Sequence, residues 1–387
     1  MKSEFNTALS TISISPHLTP VFEAFAKLRP FTYYYHCETH ASERASCGWN
    51  NECNLKTELV ANGTNEALEQ VDVLIEGMRD VGLIERRLAK GLPTIYMSER
   101  WLKPFGITLL GHRVKIDGIV RLLHPKYFKL TRRFVACLKN SKCYYLGQGA
   151  PALGDMLRLI AIFSGKLQYA FRTPHFTYGR VPCAHISATG LKDDRVSRLR
   201  LWGYFVSPSR FVQPISGVAD GKPCAHVLWV GRMVGWKRVD TLLKVARRLP
   251  EICFTLVGEG PEEPRLKRLV RASANIEFKK FQQAERVREM MRTCDAYVLT
   301  SDGTEGWGAV TSEALEEGAC VYGTYEAGSS ASMLPTEKLF HAGNVSELEE
   351  LLRRPVKYDT INNWAAEKAA IILEKFISSE VACDFCR

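Results

Sequence analysis

No stretch of the sequence approaches the roughly 18 consecutive apolar residues that a membrane-spanning helix needs. The opening MKSEFNTALSTISISPHLTP has an acid at Glu4, a broken apolar run and no small-residue cleavage pattern. Neither a spanning helix nor a secretory leader is expected, and the chain reads as cytoplasmic. Internal repeats and low-complexity tracts are missing too, which excludes solenoids and disordered polymers. Metal-ligand spacing is nearly absent: Cys383-x-x-Cys386 has no second pair to complete a site, so no metal is expected. The 12 cysteines are scattered, and Cys253, Cys294 and Cys320 lie in apolar segments, as buried free thiols of a reducing compartment do. Asn62-Gly-Thr64 is a glycosylation acceptor only in a secreted chain and reads here as a turn. Acids are scarce in one region, with 14 Lys/Arg but only Glu99 and Asp117 between Arg86 and Lys142.

With 387 residues, 46% of them hydrophobic, the chain can bury a large core, and its length suggests two domains. The net charge of +10 is uneven: residues 1–220 carry +11 and residues 221–387 carry −1. A basic field of this kind attracts membrane lipid, a phosphorylated acceptor or nucleic acid, unless it is simply a solvated face.

The second half alternates strand-like and helix-like segments. HVLWVG (226–231), ICFTLVG (252–258), NIEFKKF (275–281), DAYVLTS (295–301), ACVYGTY (319–325) and KLFHAG (338–343) are the strands. Val239, Leu242, Leu243 and Ala246 repeat at helical spacing, as do Val287, Met290, Met291 and Cys294, giving one apolar face each. NTALSTIS, FTYYYHC, VDVLIEG, LPTIYMS, CYYLGQ and RLWGYFVS supply strands to the first half. The fold class is α/β, with parallel sheets covered by helices and ligands expected at the carboxyl ends of the strands. The Pro-, Ser- and Gly-rich segment 207–223 reads as a linker. It divides the chain into domains 1–215 and 216–387, with a last helix at 360–379, including Trp364, available to return to the first domain.

Chemistry concentrates in two loops of the second half. GRMVGWKRVD places Arg232 and Lys237 between a strand and a helix, where two cations can clamp a diphosphate and stabilise its growing charge without a metal, although such a pair taken alone is more often an accident of a helix start. In TSDGTEGWGAVTSEALEEG (300–318) a strand ends, a Gly-rich turn follows, and a helix begins near Gly308. The amides of Ala309, Val310 and Thr311 at its start suit a phosphate. Gly306 and Gly308 flank Trp307 and let the backbone approach a sugar. Glu305 in the turn suits sugar hydroxyls near the reacting carbon, and Glu313 in the helix suits a ribose diol. Taken singly, either acid is equally a capping or exposed helical glutamate.

Together these segments resemble glycosyltransferase family 4, retaining enzymes of the GT-B fold, and bacterial polysaccharide-biosynthesis members in particular. Gly231-Arg232…Lys237 is similar to the family's phosphate clamp, VGEGP (257–261) to its loop near the base, and Glu305-x7-Glu313 to its Glu-x7-Glu motif. The resemblance implies two Rossmann-like domains facing each other across a cleft, the first on the acceptor and membrane side and the second binding the donor. It implies a nucleotide-diphosphate sugar as co-substrate, no further cofactor, and transfer of a hexose-type sugar with retention. Glu305, Arg232 and Lys237 are then the catalytic set; with Gly306, Trp307, Gly308, Ala309, Val310, Thr311 and Glu313 they bind donor. The acceptor implied is a lipid-linked or growing surface or capsular polysaccharide, reached from the inner face of the membrane. The chain departs from the family in its first loop, where SISPHLTP replaces a Gly-Gly turn. His17 in that loop is the candidate for the first-domain histidine that many members direct at the donor sugar, with a structural or acceptor-binding role equally open.

Three rivals are weighed against this reading. Gly147-Gln-Gly149-Ala-Pro-Ala152 has the spacing of a dinucleotide fingerprint, but residues 163–180 lack the acid that would hold a ribose. A glycoside hydrolase needs two carboxylates facing across a bond. A nucleic-acid-binding protein would use the basic first half, but docking on an anionic membrane explains that charge equally, so no nucleic acid is expected. MLRLIAIFSGKLQYAFR (156–172) is amphipathic enough to take part in that docking or to be core.

Overall fold

The computed structural model describes residues 5–12, 14, 18–35, 55–61, 63–109, 112–171, 191–202, 224–354 and 366–381. His17, Asn62, the segment 207–223, Trp364, Cys383 and Cys386 lie outside the described residues.

The first domain runs β1 (Thr7–Thr11), α1 (Thr19–Ala26), β2 (Thr32–Tyr35), β3 (Glu58–Ala61), α2 (Asn65–Leu68), β4 (Val73–Glu76), α3 (Val81–Ala89), β5 (Thr94–Ser98), β6 (Phe105–Leu109), β7 (His112–Ile116), α4 (Pro125–Cys137), β8 (Cys143–Gln148), α5 (Ala150–Phe163), α6 (Leu167–Phe171) and β9 (Leu199–Trp202). Seven strands form a parallel sheet in the order β3-β2-β1-β4-β5-β8-β9. β6 and β7 form a separate antiparallel hairpin. The interior strands β4 and β8 are buried throughout, as strands covered on both faces must be.

The second domain runs β10 (His226–Val230), α7 (Val239–Ala246), β11 (Cys253–Val257), α8 (Glu263–Leu269), β12 (Ile276–Lys279), α9 (Ala284–Thr293), β13 (Ala296–Leu299), α10 (Ala309–Glu316), β14 (Val321–Thr324), α11 (Gly328–Met333), β15 (Leu339–Phe340) and α12 (Val345–Arg353). Its six strands are all parallel, in the order β12-β11-β10-β13-β14-β15. All six strands read from the sequence of this half are present, and the two apolar stripes are core: Leu242 and Leu243 are fully buried, as is Met291.

In each sheet the order reverses once, between β1 and β4 and between β10 and β13, which leaves a crevice at the carboxyl ends of the strands. A final helix, α13 (Ala366–Phe376), follows the second domain in sequence but packs on the first. Leu373 and Phe376 join Phe22, Phe25 and Leu9 in one cluster, and Arg29 grips Glu374 through two bonds of 2.6 and 3.0 Å.

The structure adds two features that the sequence reading lacked and settles a third that it left open. β3 and the β6–β7 hairpin were not expected. β3 is an edge strand whose side chains are mostly exposed, so it lacks an apolar signal. In the segment 156–172, Met156–Ala161 is buried in α5 against Trp101, Phe134 and Tyr145, so that stretch is core and has no apolar face to offer a membrane.

Candidate functional site

β10 ends at Val230, and the chain turns through Arg232 and a short 3-10 turn, Gly235–Lys237, into α7. This loop leans on the one after β11. Gly231 N donates to Val257 O at 3.0 Å, Met233 N to Glu259 O at 2.9 Å and Glu262 N to Met233 O at 3.0 Å. The VGEGP glycines follow from that packing: a Cβ on Gly258, whose φ is +125°, would stand 2.1 Å from Gly231 O. One on Gly260 would stand 2.4 Å from Met233 O.

The loop after β13 is bonded to the first loop from the other side. Thr300 Oγ1 donates to Lys237 O at 2.5 Å, Trp229 Nε1 donates to Thr300 Oγ1 at 3.1 Å, and Asp302 N donates to Trp236 O at 2.8 Å. This frame brings Lys237 Nζ to 2.5 Å from Glu305 Oε2, which also accepts from Ser301 Oγ at 2.9 Å. Burial acts to raise the Glu305 carboxyl, but the charge and hydrogen bond of Lys237, the Ser301 bond and the more distant Lys103 outweigh it. Glu305 is therefore held below its ordinary value and stays ionised.

Arg232 is exposed, and among the described residues its guanidinium has no hydrogen-bond or ion-pair partner, so it is available to an anion. Glu313 is half-buried on α10. Burial raises its carboxyl, Arg288 lowers it and Glu316 raises it, leaving it above the ordinary value. Arg288 spends its hydrogen bonds on Glu316 (3.1 Å) and Glu317 (2.6 Å), so the Glu313 carboxylate has no hydrogen-bond partner among the described residues.

The Gly306–Gly308 turn is held by the start of α11. Gly328 N donates to Gly306 O at 3.0 Å, Ser329 N to Trp307 O at 2.7 Å and Ser329 Oγ to Gly308 O at 2.9 Å. Gly308 takes a φ of +82° and caps α10, leaving the amides of Ala309 and Val310 without an acceptor among the described residues. Two members of the expected set differ from the reading. The Thr311 amide already donates to Gly308 O at 3.0 Å, and its side chain is buried. The Trp307 indole is 1% exposed and donates to Ser312 Oγ at 3.1 Å, so it is a core group and only its backbone lies in the turn.

Across the cleft, the segment after β5 meets this turn. Arg100 is bidentate to the buried Asp155 at 2.9 and 3.1 Å, and its Nη1 donates to Gly303 O at 3.4 Å. Thr304 Oγ1 donates to Pro104 O at 3.3 Å. The dinucleotide-like turn makes a third contact: Ala150 N donates to Ser332 Oγ at 2.9 Å, and a Cβ on Gly149 would meet Gly328 Cα at 3.0 Å. That turn is filled by the second domain, which leaves no room there for a pyrophosphate. Sequence reasoning missed the 99–104 segment, although its Glu99 is one of only two acids in the basic stretch and directly follows a strand.

Solved structures of the same architecture align over nearly the whole chain. The lipopolysaccharide outer core galactosyltransferase WaaB, in its apo form, is 15% identical with a TM-score of 0.56, covering 98% of each chain. Anabaena Alr3699/HepE, in complex with UDP and glucose, is 14% identical with a TM-score of 0.53, covering 99% of this chain and 98% of that one. A glycosyltransferase from Rickettsia africae ESF-5 is 11% identical with a TM-score of 0.58, covering 98% and 99%. The fold is GT-B. Residues 220–366 match the family model described as Glycosyl transferases group 1, which spans the second domain and both loops of the site. No curated protein matches the sequence.

Proposed function

We propose that the protein is a glycosyltransferase of family 4 that moves a hexose-type sugar from a nucleotide-diphosphate sugar to an acceptor hydroxyl with retention of configuration. The observation that carries this reading is the Lys237–Glu305 contact, which joins the two strand-end loops and sets a cation and a sugar-binding carboxylate side by side. Arg232, the amides of Ala309 and Val310 and the Glu313 carboxylate, none of which has a partner among the described residues, complete a site with a cation and donors for the diphosphate and acceptors for hydroxyls. The leaving group departs into fixed positive charge, so transfer needs no metal ion, and chelation by EDTA is expected to leave turnover unchanged.

The solved Anabaena relative was in complex with UDP and glucose, which makes uridine nucleotides the first to try. The acceptor we assign is a lipid-linked or growing surface polysaccharide, met at the inner face of the membrane by a cytoplasmic protein. Buried free thiols at Cys137, Cys143, Cys224 and Cys294 suit that compartment. No helix among the described residues is long and apolar enough to cross a membrane, and the association we propose is a peripheral one. The surface that suits it is Val120, Phe128 and Leu123, which is 82% exposed, beside the exposed Arg121, Lys126 and Lys129. Sedimentation with anionic vesicles at low salt checks this, and protein that stays in the supernatant overturns it.

The deciding experiment is thermal stabilisation by nucleoside diphosphates and their sugars, in wild type and Lys237→Ala. A selective shift that the substitution abolishes supports the donor site. Salt-sensitive binding to DNA or RNA without any nucleotide shift would replace this reading with that of a nucleic-acid-binding protein.

A further inference from the structure

At the amino-terminal end of the second sheet, away from the crevice, a lysine and a thiol are in contact. Alternation along β14 puts Cys320, which immediately precedes it, and Tyr322 on one face. Lys338 ends the 3-10 turn Thr336–Lys338 that leads into β15, and its side chain lies over that face. Only 2% of Lys338 is exposed. Its Nζ donates to Cys320 Sγ at 2.9 Å and to the Tyr322 hydroxyl at 3.4 Å, and stands 4.4 Å from the centroid of the fully buried Tyr322 ring. Cys137, Cys143, Cys224 and Cys294 are buried, and burial pushes each of these thiols up, which is the setting of an inert sulfur. Cys320 is set differently. It is half-buried, so a small solute reaches it, and a lysine nitrogen stands against its sulfur.

A sulfenic acid condenses with a neighbouring nitrogen nucleophile when one is in reach. Reacting atoms about 3–3.5 Å apart are already placed for attack, and here the packing of Lys338 on Tyr322 holds Nζ and Sγ at 2.9 Å. The chemistry balances with one equivalent of hydrogen peroxide. Peroxide takes two electrons from the Cys320 thiol, giving sulfenic acid and one water. Nζ, as the unprotonated amine, then attacks the sulfur; the S–N bond forms, the S–O bond breaks, and the hydroxyl leaves with an amine proton as a second water. The bond closes residues 320–338 into a covalent loop. That loop contains α11, whose start holds the Gly306–Gly308 turn.

We propose that Cys320 and Lys338 form a redox modification site, at which hydrogen peroxide drives a reversible sulfur–nitrogen cross-link between the start of β14 and the turn before β15.

The test is tryptic mapping of the purified full-length chain before and after exposure to hydrogen peroxide, with remaining thiols alkylated in denaturant before digestion. Between Arg292 and Lys338 the sequence has no other lysine or arginine, and the next site after Lys338 is Arg353. Reduced protein should therefore yield fragment 293–338 with both Cys294 and Cys320 alkylated. Oxidised protein should yield the uncut fragment 293–353, two hydrogens lighter than its sequence, with Cys320 unalkylated; dithiothreitol should restore cleavage at Lys338. In Cys320→Ala the cut fragment should persist after peroxide. A disulfide between Cys294 and Cys320 would show the same loss of two hydrogens while leaving Lys338 open to trypsin, and would overturn the assignment. So would a Cys320 carried on to sulfinic acid in a normally cut fragment, or one still alkylated at peroxide concentrations that oxidise the exposed Cys253.

Discussion

Glu76 offers a test of the first domain that is independent of any ligand. It is the last residue of β4, fully buried beside the crevice between β1 and β4. Its Oε1 accepts from Met78 N at 2.5 Å and from Asp80 N at 3.4 Å, while its Oε2 is buried with no partner among the described residues. Burial pushes the carboxyl up, the backbone amides pull it partly down and Asp80 adds to the rise, so it moves from an ordinary 4.5 to about 7. The folded chain therefore holds this proton where the unfolded chain has released it. The resulting stability is fully present below pH 4.5 and is lost as pH rises through about 7. At ~1.4 kcal/mol per pH unit the total is about 3.5 kcal/mol, of which about 2.5 kcal/mol falls between pH 5 and pH 8. Glu76→Gln has no proton to lose. Urea denaturation of both proteins at pH 5 and pH 8 should show the difference in unfolding free energy moving toward the glutamine variant by about that amount as pH rises. A difference that changes by less than about 0.5 kcal/mol would mean that Glu76 titrates as an ordinary, solvated carboxylate, and would refute the argument from burial.

Three further outcomes follow from the site geometry. Lys237→Ala and Arg232→Ala should each raise the barrier to transfer by on the order of 2–4 kcal/mol in steady-state assays, because on the proposed reading each removes a charge that faces the leaving diphosphate. Only Lys237→Ala should also lower the melting temperature, since it leaves the ionised Glu305 without its cation, whereas Arg232 has no partner among the described residues to abandon. Glu313→Ala should weaken nucleotide binding most, and Glu305→Ala should reduce kcat most; the reverse pattern would exchange or discard their roles. Gly258→Ala should cost about 2 kcal/mol or more in chemical denaturation, because its φ of +125° and the Gly231 carbonyl 2.1 Å from the added Cβ leave an alanine no relaxed position.

Much of the second domain was legible because its information is local. Buried parallel strands declare themselves as short apolar runs, and helices such as α7 as stripes at a spacing of three and four; neither depends on distant residues. The two strand-end loops were legible as loops for the same reason. Arg232, Lys237 and Glu305 sit in strand-to-helix turns, and Glu313 in the first turns of α10, where glycine, charge and a helix start are adjacent in sequence. Features without an apolar pattern escaped, such as the exposed edge strand β3.

Tertiary structure alone decided whatever depends on a meeting between distant segments. The sequence put a carboxylate in the turn and a lysine near a helix start, but only the bonds from Thr300 and Asp302 to the Lys237 loop bring Nζ to Glu305. It offered Trp307 and Thr311 as donor-binding groups, and packing took the indole into the core while the helix start used the Thr311 amide. It displayed Glu99 only as a rare acid in a basic stretch. Its place against Gly306, about 200 residues away, follows from the meeting of loops at the carboxyl ends of the two sheets, and periodicity carries no information about which residues such a meeting selects.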